Sequence, residues 1–300
     1  MKKVNIFIVI TFLLTWIMTF GLMFNGGYQN PYARVIIVGC MFMPAIATII
    51  TTLITKEKFK DVWIKPNLNG NIKYYLMAWL LPGLLIVFGA IVYFIIFPAY
   101  FDGNMNNMIN NTKAQLTTLG QAVPSDSEIK YMLIFQMASS ILIAPIANFI
   151  PCLGEELGWR GYLLTNLLEK HSLIKATLIS GIIWGIWHAP MIAMGHNYGL
   201  SYPTAPWGGI FAMVIFCIFV GSILSFLTLK TKSCIPAAIG HAMVNGFAGI
   251  GMMFSAINNP NLFIGPMPIG IIGGIGIIVG GIICFKIISK MNISNEEYNC

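Results

Sequence analysis

Two adjacent glutamates, Glu155 and Glu156, interrupt a chain that otherwise keeps acids out of its apolar runs, and Arg160 follows them one helical turn on. Downstream come Trp184-x-x-x-His188 and His241-x-x-x-Asn245, again at the spacing of one turn. Carboxylates, imidazoles and an amide are costly in hydrocarbon, so several of them within apolar segments mark a functional site. On a helix Glu156 and Arg160 share a face and can pair, while Glu155 points about 100° away. One division of labour has Arg160 holding one carboxylate ionised while the other faces a drier cavity as a general base. A plain ion-paired helix start would use the same residues. His241 and Asn245 place an imidazole and an amide on one face, enough to hold a water, a carbonyl oxygen or a metal.

The elements that must position these groups are membrane-spanning helices. The chain is 57% hydrophobic and only 9% charged, with a mean hydropathy of +0.79, whereas a soluble domain carries about 25% charged residues. Eight apolar stretches approach spanning length, near 5–24, 34–54, 74–99, 131–150, 173–194, 207–229, 234–257 and 267–288. Each comes close to the roughly 20 residues that cross a bilayer as a helix. No run of alternating ten-residue segments points to a β-barrel. The expected fold is therefore all-α and polytopic, one integral membrane domain. Within it, 1–130 holds the N-terminal helices and a polar outer loop, 131–257 the chemistry, and 258–300 a glycine-rich span and tail. The sequence EELGWRGYLLTNLLEK after Pro151 and Gly154 predicts a break and then an amphipathic helix at the inner interface, carrying the first motif. Gly270, Gly274, Gly276 and Gly280 predict close helix packing in the last span.

Charge gives the orientation. With the amino terminus inside, the inner segments hold Lys2, Lys3, five lysines from Lys56 to Lys73, Arg160, Lys170, Lys175, Lys230, Lys232, Lys286 and Lys290, which is 14 of the 17 basic residues. That bias predicts cytoplasmic termini. The net charge of +7 then reflects topology and contact with anionic lipid, and excludes nucleic acid as a partner. The six cysteines are scattered, with no C-x-x-C pair, and read as small apolar residues. His171 and His196 fall in loops and are expected to face solvent. Counted from the inner ends, His241 lies roughly 10 Å deep and His188 nearer ~22 Å at 1.5 Å per residue, so the two motifs do not sit at one level by counting alone.

EExxxR, an aromatic-x-x-x-His and His-x-x-x-Asn, in that order on a multispanning chain, resemble the CPBP intramembrane proteases, the family of CAAX prenyl endopeptidases and of bacteriocin-processing or self-immunity proteins. The match covers about 130–255, and Trp184 stands where many members carry Phe, another bulky aromatic. The resemblance implies hydrolysis of membrane-anchored peptides or proteins in a cavity open to the cytoplasm. Carried over residue by residue, Glu155 activates water with His188 assisting, His241 and Asn245 stabilise the oxyanion, and Glu156 and Arg160 support them. Glu155, His188 and His241 could also form a His₂Glu zinc site, although no H-E-x-x-H is present. Two other readings stay open: an immunity or regulatory membrane protein without essential proteolysis, and a proton-coupled transporter using the same acids and histidines. Acids near the inner boundary and the lack of internal repeats favour the protease. The abundance of Ile, Asn and Lys suggests an AT-rich bacterial genome and hence a bacterial cell membrane.

Overall fold

The computed structural model describes residues 2–59 and 62–291; Lys60 and Cys300, counted above, lie outside them. Among these residues the chain is helical, with no β-strand, the economical solution when backbone polar groups have no water to bond. The first half holds α1 (Lys2–Phe24), α2 (Ala33–Cys40), α3 (Met43–Thr55), α4 (Ile72–Ile96), α5 (Asn106–Thr118) and α6 (Asp126–Ala147). Next come α7 (Phe149–Glu156), a π-helical stretch Leu157–Leu164, α8 (Thr165–Leu168), α9 (Leu173–Trp187) and α10 (Ala189–Ala193). The chain closes with α11 (Trp207–Thr231), α12 (Ile235–Phe247) extended by 3₁₀ turns to Phe254, and α13 (Ile275–Ile288). Among the described residues six runs are long and apolar enough to cross a membrane: α1, α2 with α3, α4, α6, α11, and α12 with its extension. The shorter apolar helices α9 and α13 fill the remaining two of the eight stretches read from sequence. The chain is an integral membrane protein.

Local chemistry explains most boundaries. Ser125 and Glu128 form a reciprocal capping box that starts α6. The break after α6 falls at Asn148, ahead of the expected Pro151, because Pro151 sits in the first turn of α7, where its missing N–H has no helical partner to lose. Gly154 serves packing: a Cβ there would lie 2.9 Å from the Met41 carbonyl oxygen, and one on Gly158 would overlap Pro44. The motif helix thus presses its glycines against the joint between α2 and α3. In α13, Cβ atoms on Gly276 and Gly281 would strike Leu85 of α4 and Phe219 of α11, so close approach does explain glycines in this span. Gly270 and Gly274 precede the helix instead.

Two expectations need correcting. The 101–130 loop contains α5, whose Ile109 packs with Met105, Ile129 and Leu133; a helix this polar gave little hydrophobic signal. The first motif does not lie on a half-exposed interfacial helix, since every residue from Gly154 to Leu164 is buried. Its charges pair within the segment, Arg160 with Glu156, and reach side chains on α9 and α12, Trp184 and His241.

The lysine-bearing helix ends gather on one face. Lys3 Nζ lies 2.8 Å from Glu57 Oε1 and 2.8 Å from Glu169 Oε1, joining the start of α1 to the ends of α3 and α8. Asn67 Nδ2 donates to the carbonyls of Thr231 and Lys232 at the end of α11. The described cysteines are free and buried.

Candidate active site

Glu155, in the last turn of α7, lines a cavity of about 290 Å³ together with Trp184, His188, His241 and Asn245. Its Oε2 accepts a hydrogen bond from Trp184 Nε1 at 2.9 Å and a longer one from Trp159 Nε1 at 3.4 Å. Both indoles engage the same oxygen, which fixes the carboxylate plane and leaves Oε1 out of these bonds. Trp159 escaped the sequence reading, although it stands one turn after Glu155, the spacing at which side chains meet.

Glu156 turns away from the cavity into a buried ion cluster. Arg160 Nη1 donates to Glu156 Oε1 at 3.1 Å and lies 3.0 Å from Oε2. His241 Nδ1 donates to Oε1 at 2.9 Å, across 85 residues of chain. Both Glu156 and Arg160 are 0% exposed. Burying such charges costs several kcal/mol per ion unless they are paired and hydrogen-bonded; here the guanidinium carbon also lies over Trp184, 4.3 Å from the ring centroid, a further favourable contact. Glu156 therefore fixes the ring of His241, with Nδ1 committed and Nε2 on the opposite edge.

His188, just past α9, places Nδ1 2.9 Å from the carbonyl oxygen of Trp184. A carbonyl can only accept, so Nδ1 carries the proton and Nε2 of the neutral ring holds a lone pair. Trp187 packs edge-on at 4.7 Å between centroids, while its own Nε1 donates to Thr15 Oγ1 at 2.8 Å. Trp184 stands between the two histidines, its ring 5.9 Å from His188 and 5.2 Å from His241, and all three line the same cavity.

Asn245 is exposed on the cavity side of α12, one turn beyond His241, with Nδ2 3.5 Å from Cys152 Sγ. His196 is another difference from the sequence reading. It is half-buried, lines the same cavity, and its Nδ1 is 2.6 Å from the Tyr28 hydroxyl in a stacked pair. No spacing signal connects Tyr28 to a loop 168 residues later. His171 does not line the cavity. Among the described residues no three His, Cys, Asp or Glu side chains are grouped as a metal ion would require, Glu155, His188 and His241 included.

Residues 137–247 match the family model described as type II CAAX prenyl endopeptidase Rce1-like. Over this segment the chain is similar to the Rce1-like family. The Rce1-like segment starts within α6 and ends with α12, and it contains all seven motif residues from Glu155 to Asn245. Outside it, the likeness continues: the chain is 26% identical over 240 residues to CAAX prenyl protease 2 of Methanococcus maripaludis, covering 78% of this chain and 80% of that protein. The Rce1-like motifs thus converge from three helices that are far apart in sequence onto one cavity.

Proposed function

We propose that this protein is an intramembrane endopeptidase that hydrolyses peptide bonds of membrane-associated peptides or proteins with water activated by Glu155. The observation that carries the reading is the Glu155 carboxylate, fixed on one oxygen by two indoles and presented to a cavity shared with two histidines and an amide. The likeness to the Rce1-like family model and to a CAAX prenyl protease supports the same reaction class.

In this mechanism Glu155 Oε1 takes a proton from water while the water oxygen attacks the peptide carbonyl carbon. His188 Nε2, with its lone pair, helps hold or deprotonate that water. The carbonyl π pair moves onto oxygen, and His241 and Asn245 Nδ2 donate to the resulting oxyanion. In the charged ring both His241 nitrogens carry protons, so Nε2–H serves the oxyanion while Nδ1–H stays on Glu156. A preorganised donor of this kind contributes about 10²–10³ in rate. Collapse breaks the C–N bond, the proton held by Glu155 passes to the leaving nitrogen, and a carboxylic acid and an amine form; the acid's proton, the second from water, then passes to the amine, and a carboxylate and an ammonium group depart. Glu156 and Arg160 act through His241, and Trp159 and Trp184 act through Glu155; all four are positioning residues.

The test is cleavage of a library of membrane-anchored peptides by the full chain in nanodiscs, comparing wild type with Glu155→Gln, each with and without a chelator. Products that need Glu155 and persist in chelator are expected. Equal cleavage by the Gln variant would overturn the assignment, and loss of cleavage in chelator, restored by added zinc, would replace the metal-free route.

A further inference from the structure

His196 belongs to none of the three motifs, yet it lines the same cavity as Glu155, His188 and His241, and both its backbone and its ring are held in place. Its N–H donates to the Met191 carbonyl at 3.1 Å, and its own carbonyl accepts from Tyr198 N at 2.7 Å. The second bond closes a three-residue turn centred on Asn197, whose φ of +65° is a conformation that non-glycine residues rarely adopt. Gly195 and Gly199, at φ +96° and +67°, flank the turn and are joined by a backbone bond of 2.9 Å. Strain of this kind persists only where the surroundings over-determine it, and it gathers at functional sites. Its result here is that two consecutive side chains, His196 and Asn197, both line the cavity.

The ring of His196 is held from the far end of the sequence. Tyr28, on the 3₁₀ turn Gly27–Gln29 after α1, stacks on it with 13° between the ring planes, and the Tyr28 hydroxyl lies 2.6 Å from Nδ1. Two bonds tie α1 to the end of α9: Trp16 Nε1 donates to the Trp187 carbonyl at 3.1 Å, and Trp187 Nε1 donates to Thr15 Oγ1. Burial lowers the basicity of His196, so the ring is neutral and carries one proton. A phenol is the better donor and an imidazole nitrogen the better acceptor, so Tyr28 donates to Nδ1 and the ring proton sits on Nε2. His196 thereby offers the cavity a donor. Asn197 Nδ2 faces Met213 Sδ at 3.8 Å, which leaves Oδ1 as the acceptor that this side chain offers.

We propose that His196 and Asn197 bind the backbone of the substrate peptide, His196 Nε2–H donating to a carbonyl oxygen and Asn197 Oδ1 accepting from a neighbouring N–H, with Tyr28 as the positioning residue that fixes the His196 ring. This rests on the endopeptidase reading and deepens it, because the site gains a substrate-holding pair separate from Glu155, His241 and Asn245. A neutral donor beside a neutral acceptor matches an extended peptide, which presents both groups along its main chain. The same pair brings no positive charge to a carboxylate or a phosphate. Holding the backbone leaves the substrate's side chains to the apolar part of the wall, Met191, Met213 and Phe216.

Binding and cleavage are read separately. A library of membrane-anchored peptides is applied to the Glu155→Gln protein in nanodiscs, and the best-retained peptide, carrying a fluorophore, serves as the probe. His196→Phe keeps a ring against Tyr28 but removes the donor; in the Glu155→Gln background it should weaken probe binding about tenfold, the effect of one lost hydrogen bond. His196→Gln returns an N–H near the place of Nε2 and should stay within about threefold of its parent. Tyr28→Phe should weaken binding less than His196→Phe does, and the two together no further than His196→Phe alone, because Tyr28 acts through His196. With Glu155 in place, the loss in His196→Phe should appear in KM and not in kcat. Unchanged binding by His196→Phe, no recovery with His196→Gln, additive losses with Tyr28→Phe, or a loss confined to kcat would overturn the proposal, as would a library from which no peptide is retained. The expected binding pattern without any cleavage by wild type would instead remove the endopeptidase reading and leave the peptide-binding pair standing.

Discussion

Replacing either member of the Glu156–Arg160 pair should destabilise the protein, but unequally. Both side chains are fully buried, and breaking a buried pair by removing one partner costs about 3–5 kcal/mol. Glu156→Met strands a guanidinium that cannot shed its proton, already with Nε and Nη2 lacking hydrogen-bond partners, so its loss should reach the upper part of that range. Arg160→Met leaves a carboxyl group that can take up a proton and still has His241 Nδ1 at 2.9 Å; its loss should lie at or below the lower limit, about 3 kcal/mol. Methionine in both positions removes charge from both sides at once, and the double variant should be more stable than the sum of single losses by about 2–3 kcal/mol. Unfolding by SDS titration in mixed micelles, followed by tryptophan fluorescence, measures all four proteins. Glu156→Met and the double variant should lose cleavage, because His241 loses its orienting carboxylate in both, whereas Arg160→Met keeps that bond and should lose less. Equal losses in the two single variants, the reverse order, or strict additivity would refute the claim that this is a tightly coupled buried pair centred on an obligatory cation.

Other outcomes follow from the same contacts. Trp184→Phe keeps a ring under Arg160 while deleting the 2.9 Å bond to Glu155; cleavage should fall roughly tenfold, which corresponds to about 1.4 kcal/mol, and Trp159→Phe, losing a 3.4 Å bond, should fall less in the same assay. Gly158→Ala forces a Cβ onto Pro44 and should cost about 1–3 kcal/mol in SDS titrations, whereas Gly21→Ala, with nothing within 4 Å, should not destabilise. Burial pushes the Glu57 carboxyl up, but hydrogen bonds from Lys3, Tyr162 and Thr55 outweigh it and hold the group below its ordinary value of 4.5. A depressed carboxylate contributes stability above its unfolded pKa and loses it as pH falls through the folded one. Melting curves of wild type and Glu57→Gln should therefore differ at pH 6 and converge as the pH drops below about 4.

The features legible in the sequence are those set by local period. Apolar runs located all eight helical stretches, and the four-residue spacing of Glu156 and Arg160 anticipated their contact. What stayed hidden depends on pairing over long distances. The bond from His241 to Glu156 crosses 85 residues, and without it a charged helix reads as an interfacial one. His196 faced solvent in the sequence reading because nothing nearby announces Tyr28. The polar α5 could not be distinguished from a loop by hydrophobicity, since its stability draws on contacts of Ile109 with α6. Pro151 suggests a breaker, yet proline in a first turn is tolerated, and the joint falls at Asn148.

The central claim is direct attack by water on the peptide carbonyl with Glu155 as the base. Single-turnover cleavage with excess enzyme in ¹⁸O-labelled water, followed by mass spectrometry of the product and of the peptide containing Glu155, tests it most directly. One ¹⁸O in the new carboxyl terminus of the product and none in Glu155 is the expected result. An unlabelled product with ¹⁸O in the Glu155 carboxylate would mean that Glu155 itself attacks the carbonyl, and would contradict the mechanism.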